Sequence, residues 1–178
     1  MKLLKNWDNK TWLSSSTYIN SFNSFLLKKK KLNKKSKILD IGCGRGKILG
    51  SLSRKIKLKT KPIGIDPVTH VDIDKSIDFR NEDIFKFFET NGSKFDLIMI
   101  KQTLHFFDNN KRIKLLKICK NNLKKKGVLI ILSLITEKNQ IPCFKLMKQK
   151  LNRGLSRDSK MLKSACKILE KNRIDKFK

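Results

Sequence analysis

The sequence predicts an α/β fold in which helices cover both faces of a doubly wound, mainly parallel sheet. Short apolar runs alternate with amphipathic helical segments along the first three quarters of the 178-residue chain. The run at 95–100 is almost continuously apolar, as in strands that are buried on both faces. A glycine-rich turn at 42–46 follows the first apolar run and leads into helical sequence, an arrangement that presents backbone N–H groups to a ligand.

The first half of the chain predicts two helices and two strands. Aromatic and aliphatic residues recur at helical spacing over 12–30, ahead of a run of lysines. The apolar run at 37–41 predicts the first strand. Isoleucine and leucine at amphipathic spacing predict a helix over 47–57, and a short apolar run predicts the second strand at 63–65.

The next segment predicts a weak third strand at 77–79, after an irregular acidic connection. Residues 84–88 begin a short helix, which we expect to stop at the turn formed by Asn91 and Gly92. The fourth strand follows at 95–100.

The last segment predicts a helix over 109–124 with Asp108 as its N-cap, because an aspartate side chain accepts from the first free N–H groups of a helix. The fifth strand is predicted at 128–134, after Gly127. A long basic segment from Pro142 to about residue 173 is predicted to be mostly helical.

Candidate ligand-binding residues follow successive strands of this sheet. Asp40 lies two residues before the first glycine of the turn, and Asp66 ends the second strand about 20 residues past the turn. Asp83 follows the third strand and Lys101 the fourth. Because the carboxyl ends of parallel strands form the usual ligand-binding crevice, we expect these residues to meet there. The glycine spacing is G-x-G-x-G, which differs from the G-x-G-x-x-G of dinucleotide-binding folds.

Residues 36–134 resemble the core of a class I S-adenosylmethionine-dependent methyltransferase of the small-molecule type, which has a Rossmann-like fold. The segments that carry the resemblance match five motifs in the family's order: 39–46 (LDIGCGRG), 64–66 (GID), 81–84 (NEDI), 95–105 (FDLIMIKQTLH) and 126–131 (KGVLII). The resemblance implies S-adenosyl-L-methionine as cofactor and S-adenosyl-L-homocysteine as product.

The resemblance assigns ten residues to the cofactor site: Asp40, Gly42, Cys43, Gly44, Gly46, Asp66, Pro67, Asp83, Ile84 and Lys101. It implies that Asp66 accepts hydrogen bonds from the ribose hydroxyls and Asp83 from the adenine amino group. Ile84 would lie against the adenine ring, with Ile65 and Leu104 as further apolar walls. Asp40 would orient the turn or a bound water. For Asp83, a purely structural role as a helix cap remains an equal alternative.

His105 is the candidate general base, because it lies just past the fourth strand, near the expected position of the acceptor. A histidine in this context is more often a packed helix-cap residue. Lys101 could also meet an acidic group of the acceptor. The N-terminal helix with Trp7, Trp12 and Tyr18 is either a lid over the cofactor or an ordinary packing element.

The formal net charge of +28 comes from 36 lysines and only 7 arginines against 15 acidic residues. Asn, Ile and Phe are also plentiful, so an A/T-biased genome explains much of the lysine excess. A protein selected to read nucleic acid would use more arginine. Residues 111–178 nevertheless hold 21 basic and 4 acidic residues, so an anionic partner remains open.

Four widely spaced cysteines and two histidines argue against a metal site or a disulfide framework. Cys43 is interpreted as packing inside the turn. No signal peptide or membrane span is apparent, so we expect a cytoplasmic protein.

We expect one domain with three parts: a helical lid at 1–35, a cofactor-binding core at 36–135 and a basic, mostly helical segment at 136–178. The chain ends where the family's sixth strand would begin, so the C-terminal strand hairpin is expected to be missing. The fifth strand would then need to be covered, either by the last helix or by a partner.

The predicted function is methyl transfer from S-adenosylmethionine to a small-molecule acceptor. No Asn-Pro-Pro-Tyr-type motif follows the fourth strand, which argues against amino methylation of adenine or glutamine by that motif. The alternatives are an RNA methyltransferase that uses the basic tail, and a non-catalytic cofactor-binding module. A dehydrogenase is disfavoured by the misplaced third glycine. Oligomeric state is left open.

Overall fold

Five parallel strands form one sheet in the order β3-β2-β1-β4-β5 in the computed structural model, which describes residues 16–132. The strands are β1 (Ile38–Ile41), β2 (Ile63–Ile65), β3 (Asp78–Arg80), β4 (Phe95–Lys101) and β5 (Leu123–Leu132). The helices are α1 (Ser16–Lys29), α2 (Lys47–Ile56), α3 (Ile84–Thr90) and α4 (Asn109–Asn121), with a 3-10 turn at Leu104–Phe106. The predicted fold class is confirmed.

The core lies on both faces of the sheet, because side chains alternate along each buried strand. Leu39 and Ile41 of β1 pack on one face, with residues of α3 and α4. Ile38 packs on the other face, with residues of α1 and α2. Asp40 lies two residues after Ile38 in β1, so its side chain is on the same face of the sheet. A buried carboxylate is therefore on the α1–α2 face, between β2 and β4.

The strand order reverses between β1 and β4, which are hydrogen-bonded neighbours although their paired residues Ile38 and Leu97 are 59 positions apart in the sequence. From β1 the chain moves to β2 and β3 on one side, and to β4 and β5 on the other. In sheets of this kind a ligand crevice opens at the carboxyl ends of the strands beside the reversal.

Three predicted elements have different boundaries in the structure. The helix predicted over 109–124 ends at Asn121, because the backbone N–H of Asn122 caps the carbonyls of Ile118 and Cys119. The fifth strand begins at Leu123 instead of residue 128, since Leu123 pairs with Phe95 ahead of an irregularity in the β4–β5 register. The third strand is shifted by one residue, to Asp78–Arg80.

Other predictions fall on residues 1–15 and 133–178, which lie outside the described residues. They are the lid tryptophans Trp7 and Trp12, the end of the fifth strand, the long helix from Pro142 and the missing strand hairpin. Within 16–132, no helix is both long and apolar enough to cross a membrane. That same range contains no group of His, Cys, Asp and Glu side chains arranged to hold a metal ion.

A glycine inside α2 gives a test of how tightly the connection between β2 and β3 packs on that helix. A Cβ at Gly50 would lie 2.2 Å from Cγ of Asp74, a buried side chain that Arg54 holds at 2.8 Å. Alanine normally improves an exposed helix by about 1 kcal/mol relative to glycine. Here we expect Gly50→Ala to lower the free energy of unfolding by about 1–3 kcal/mol, because overpacking outweighs propensity.

Urea unfolding of both proteins measures this change. Gly92→Ala is the matched control, because a Cβ at Gly92 meets nothing within 4 Å. The control should stay within about 0.5 kcal/mol of the parent protein. A stabilised Gly50→Ala protein would contradict the packing described for Asp74.

Candidate functional site

The turn after β1 is built from three glycines that all have positive φ. The values are +71° at Gly42, +54° at Gly44 and +67° at Gly46, a region that side chains oppose. Space is a second requirement at Gly42, because a Cβ there would lie 2.1 Å from Oγ1 of Thr103. The turn therefore lets the main chain run directly against the residues that follow β4.

Hydrogen bonds fix this turn to the end of β2. The backbone N–H groups of Gly42 and Cys43 both donate to the carbonyl oxygen of Ile65, at 2.8 and 3.0 Å. The N–H of Gly44 donates to Oδ2 of Asp66 at 2.8 Å. Asp66 is thus a structural part of the turn, as well as the predicted ribose acceptor.

The carboxylate of Asp66 uses both oxygens within the protein. Oδ1 accepts from the N–H of Val68 at 2.9 Å, and Oδ2 accepts from Gly44. Burial raises the pKa of Asp66, and these two N–H groups oppose the shift. Each oxygen retains acceptor capacity after one hydrogen bond, so the carboxylate can still receive two donors from a ligand.

A buried ion pair joins β1 and β4 in the crevice. The Nζ of Lys101 donates to Oδ1 of Asp40, and their side chains are only 8% and 1% exposed. Oδ2 of Asp40 is buried and has no hydrogen-bond partner among the described residues. Burial raises the pKa of Asp40, while the Lys101 ammonium lowers it. An orphaned buried acceptor at this place has the character of a ligand-binding atom.

The charges of this crevice do not balance. The Asp66 carboxylate raises the pKa of Asp40, and the Lys101 ammonium lowers the pKa of both aspartates. Two carboxylates against one ammonium leave one net negative charge in a poorly hydrated place. The arrangement favours a ligand that brings a positive charge.

Asp83 caps α3. Its Oδ1 accepts from the N–H groups of Phe85 and Lys86, at 2.8 and 3.4 Å, and the side chain is exposed. Asn81 ties this region to the cofactor crevice, since its Nδ2 donates to the carbonyl oxygen of Asp66 at 3.0 Å. Capping is therefore present in the structure, and the adenine contact remains a prediction.

The apolar residues assigned to the adenine pocket are core residues in this structure. Ile84 is 5% exposed, and Ile65 and Leu104 are each 1% exposed, all within one cluster below α3 and α4. Pro67 is exposed beside Asp66. Contact between these apolar side chains and a ring would require the covering side chains to move.

Cys43 packs inside the site, as the sequence predicted. A Cβ at Gly64 of β2 would lie 2.8 Å from its Sγ, so the thiol fills the space that glycine leaves. Burial raises the pKa of the Cys43 thiol well above its usual value, and the carboxylates of Asp40 and Asp66 raise it further. The thiol stays protonated at neutral pH and is no nucleophile.

His105 lies in the 3-10 turn after β4 and is buried, with 7% of its surface exposed. Its Nδ1 has no partner within residues 16–132. Burial lowers the pKa of His105 to about 4, and the nearby Arg112 guanidinium adds to the shift. The imidazole is therefore neutral at pH 7, available as an acceptor of a proton but only weakly basic.

Two features of the site were missed from sequence. Thr103 links the strand ends, because its Oγ1 donates to the carbonyl of Lys101 at 2.9 Å while the side chain packs on Gly42. Gln102 has a φ of +51° and turns the chain directly after β4. No sequence pattern marks such a turn.

The second missed feature is a polar cleft of about 400 Å³ between α1, α2 and the connection from β2 to β3. Its lining carries two ion pairs, Arg45 with Asp72 and Arg54 with Asp74. An arginine inside the glycine turn was the only sequence signal for it. The cleft adjoins the turn from the α1 side, opposite to the predicted adenine side.

The low pKa of His105 makes stability depend on pH. A histidine has a pKa near 6.5 when unfolded and about 4 here, so the unfolded state binds more protons at acidic pH. The stabilisation from the neutral imidazole is complete above pH 6.5 and is lost as the pH falls toward 4. We expect the parent protein to lose about 3 kcal/mol more than His105→Leu between pH 7 and pH 4.

Urea unfolding at several pH values measures the difference between the two proteins. Carboxylates titrate in both, so their contribution cancels in the comparison. Parallel profiles for the two proteins would show that His105 is not held neutral in the folded state.

The comparisons with known proteins identify the family and the fold. The methyltransferase-domain family model matches residues 32–176. In structure, the chain is similar to the plantazolicin methyltransferase BpumL in complex with a monoazolic desmethylPZN analog and SAH, with a TM-score of 0.63 and 23% identity. The match covers 90% of this chain and 60% of that one. No curated protein sequence matches the chain significantly.

Two further solved structures share the fold at lower similarity. The sugar N-methyltransferase KedS8 from Streptoalloteichus has a TM-score of 0.52 and 14% identity, covering 70% of this chain and 51% of that one. Coclaurine N-methyltransferase, bound to N-methylheliamine and SAH, has a TM-score of 0.52 and 16% identity, covering 71% and 38%. At such identities the likeness shows the fold alone.

The family match spans most of the chain and coincides with the sheet and glycine turn described above. The resemblance inferred from the five sequence motifs is thereby confirmed. The chain belongs to the methyltransferase-domain family, within the class I, S-adenosylmethionine-dependent type.

Proposed function

We propose that the chain binds S-adenosylmethionine at the carboxyl ends of β1, β2 and β4 and transfers its methyl group to a small-molecule acceptor. The observation that carries the proposal is the pinned glycine turn, whose N–H groups bond to Ile65 and to the Asp66 carboxylate. Membership of the methyltransferase-domain family supports it. BpumL and coclaurine N-methyltransferase, two proteins of the same fold, were crystallised with SAH.

The residues present fit this cofactor by charge. S-adenosylmethionine carries a sulfonium, an ammonium and a carboxylate, so its net charge is positive. The crevice holds the buried carboxylate of Asp40 and the half-buried carboxylate of Asp66 against one ammonium, that of Lys101. The orphaned Oδ2 of Asp40 offers an acceptor, and the remaining acceptor capacity of Asp66 suits a pair of hydroxyl donors.

The N-terminus of α2 suits the carboxylate of the same cofactor. Gly46 is its N-cap and supplies no side chain, so no side-chain cap occupies the first N–H groups of the helix. Such groups and the helix dipole favour an anion. Together with Asp83 on α3, these elements would hold the two ends of the cofactor on either side of Asp66.

The cofactor supplies an electrophilic methyl group when bound, and this chain's residues mainly orient it. The pinned turn and the Asp40–Lys101 pair restrict movement at the base of the site, where alignment governs the rate of an in-line displacement. His105, neutral at pH 7 because burial lowers its pKa to about 4, is proposed as an acceptor of the proton released by the nucleophile. Lys101 is already engaged by Asp40, which opposes a direct role toward an acidic acceptor.

We also propose a cellular location for the protein and a role for each part of the chain. The described cysteines Cys43 and Cys119 are free thiols, which suits the reducing cytoplasm. We propose that residues 36–135 act as the cofactor-binding core, flanked by a lid at 1–35 and a basic segment at 136–178.

Calorimetric titration with S-adenosylhomocysteine tests the proposed site. We expect binding in the micromolar range, and a loss of at least about 30-fold in Asp66→Asn, because an amide can accept at only one of its two atoms. Asp78→Asn is the matched control, since Asp78 is a half-buried aspartate at the opposite end of β3. Unchanged affinity in a folded Asp66→Asn protein, or no binding by the parent protein, would contradict the proposal.

A pair of substitutions at Asp83 separates capping from cofactor binding. Asparagine is as good an N-cap as aspartate, whereas alanine costs about 1 kcal/mol. We therefore expect Asp83→Asn to keep the unfolding free energy of the parent protein and to bind S-adenosylhomocysteine about tenfold more weakly. Asp83→Ala should lose both stability and affinity. Full affinity in Asp83→Asn would leave capping as the role of Asp83.

A further inference from the structure

A dense row of lysines lies at the end of the sheet opposite to the cofactor crevice. Four segments lead into the amino ends of β2, β1, β4 and β5, which are adjacent in the sheet, and the last segment includes the first residues of β5; we call this surface the amino edge (residues 57–62, 30–37, 91–94 and 122–127). It holds twelve lysines and no acidic residue: Lys30, Lys31, Lys34, Lys35, Lys37, Lys57, Lys59, Lys61, Lys94, Lys124, Lys125 and Lys126. All but Lys30, which is half-buried, are exposed.

Lysine-rich composition alone does not explain this row. The connections or turns confined to the carboxyl ends of the strands, residues 42–46, 81–83 and 102–108, hold one basic and three acidic residues. A composition bias would raise lysine at both ends of the sheet. The charge is instead separated along the strand direction.

Helix dipoles explain only a small part of the separation. The carboxyl ends of α1, α2, α3 and α4 all point toward the amino edge, and each carries about half a negative charge. Four helices therefore offset about two of the twelve positive charges. Two carboxylates at this end of the sheet, Asp78 and Asp96, are already paired with Arg80 and Lys124.

The row is held as one surface by hydrogen bonds between its connections. The N–H of Lys59 donates to the carbonyl of Lys34 at 2.8 Å, which joins the loops before β2 and β1. Nζ of Lys30 donates to the carbonyl of Lys126 at 2.5 Å, which joins the loop before β1 to the first residues of β5. Nζ of Lys37 reaches Oγ of Ser93 at 3.3 Å. The charges thus have a fixed arrangement.

The chemistry of the amino edge selects among anionic partners. Its four connections contain no aromatic residue, so they offer no stacking platform for the bases of a single strand. Within residues 16–132, the large exposed hydrophobic residues all lie outside these connections, so nothing there would insert into a lipid surface. Lysine meets phosphate as a point charge and lacks the planar fork with which arginine makes bidentate contacts.

We propose that the amino edge docks the phosphate backbone of a nucleic-acid duplex, without sequence preference. Four adjacent strands about 4.8 Å apart span about 14 Å. The helix dipoles and the Asp96–Lys124 pair leave about nine of the twelve charges, which is about one charge per 1.6 Å. A duplex carries about one phosphate per 1.7 Å of its axis, a similar density. The surface faces away from Asp66 and the glycine turn, so the inference does not depend on the proposed methyl transfer.

Fluorescence anisotropy with a labelled 20-base-pair RNA duplex, and with a DNA duplex of the same sequence, tests the proposal. We expect both to bind, with affinity falling steeply between 50 and 200 mM NaCl. The triple variant Lys34→Glu, Lys59→Glu, Lys125→Glu should bind at least about tenfold more weakly at 100 mM. Its slope of log affinity against log salt should be smaller by about 3, since each neutralised phosphate contributes about 0.9.

The matched control is Lys86→Glu, Lys111→Glu, Lys117→Glu, which makes the same change in net charge on exposed positions of α3 and α4. It should bind within about threefold of the parent protein. Equal losses in the two variants would reduce the effect to net charge and overturn the proposal. So would duplex binding that is absent or insensitive to salt in the parent protein.

Sedimentation with phosphatidylserine vesicles distinguishes a membrane partner. Binding to vesicles without binding to either duplex would overturn the proposal in favour of a lipid surface. Thermal unfolding verifies that each variant is folded, and Lys→Gln substitutions at the same three positions replace any variant that is not. The expected loss of affinity should then persist, with the slope again smaller by about 3.

Discussion

The carbonyl oxygen of Ile65 is the point on which the site depends. It accepts two N–H groups, from Gly42 and Cys43, so the end of β2 fixes the start of the turn after β1. The Asp66 carboxylate takes the next N–H of the turn, that of Gly44. Three consecutive donors are satisfied by one neighbouring strand end, and the positive φ angles that this requires explain why glycine stands at 42 and 44.

This arrangement gives Asp66 two tasks that conflict energetically. Anchoring the turn buries the carboxylate, which raises its pKa, while the N–H groups that it accepts favour its ionised form. Asp40 is in the same position, with Lys101 as the compensating partner and one oxygen left unsatisfied. Buried ionised groups of this kind contribute little to stability unless they are fully paired. A crevice kept negative at such a cost is better explained by the ligand that it receives than by the fold.

Most of the fold could be predicted because the buried strands are short, apolar and separated by helices with clear caps, as at Asp108 and Asp83. The start of β5 could not, since Lys124 to Lys126 are polar and exposed and lie in the irregular part of the β4–β5 register, between the pairs Phe95–Leu123 and Leu97–Val128. The Asp40–Lys101 pair also escapes local patterns. Its members are 61 residues apart and meet because β1 and β4 are neighbours at the reversal of strand order.

The parallel topology also explains why the two ends of the sheet differ in charge. Every helix that follows a strand begins at the carboxyl end, where acidic caps such as Asp83 and Asp108 satisfy its N–H groups. Every helix ends at the amino edge, where positive charge interacts favourably with the negative end of the helix dipole. Helix chemistry therefore explains the sign of the charge at each end of the sheet. It does not explain the amount of charge at the amino edge, because twelve lysines exceed what four helix termini require. The excess is a property of the surface itself, and an anionic partner outside the fold is what it matches.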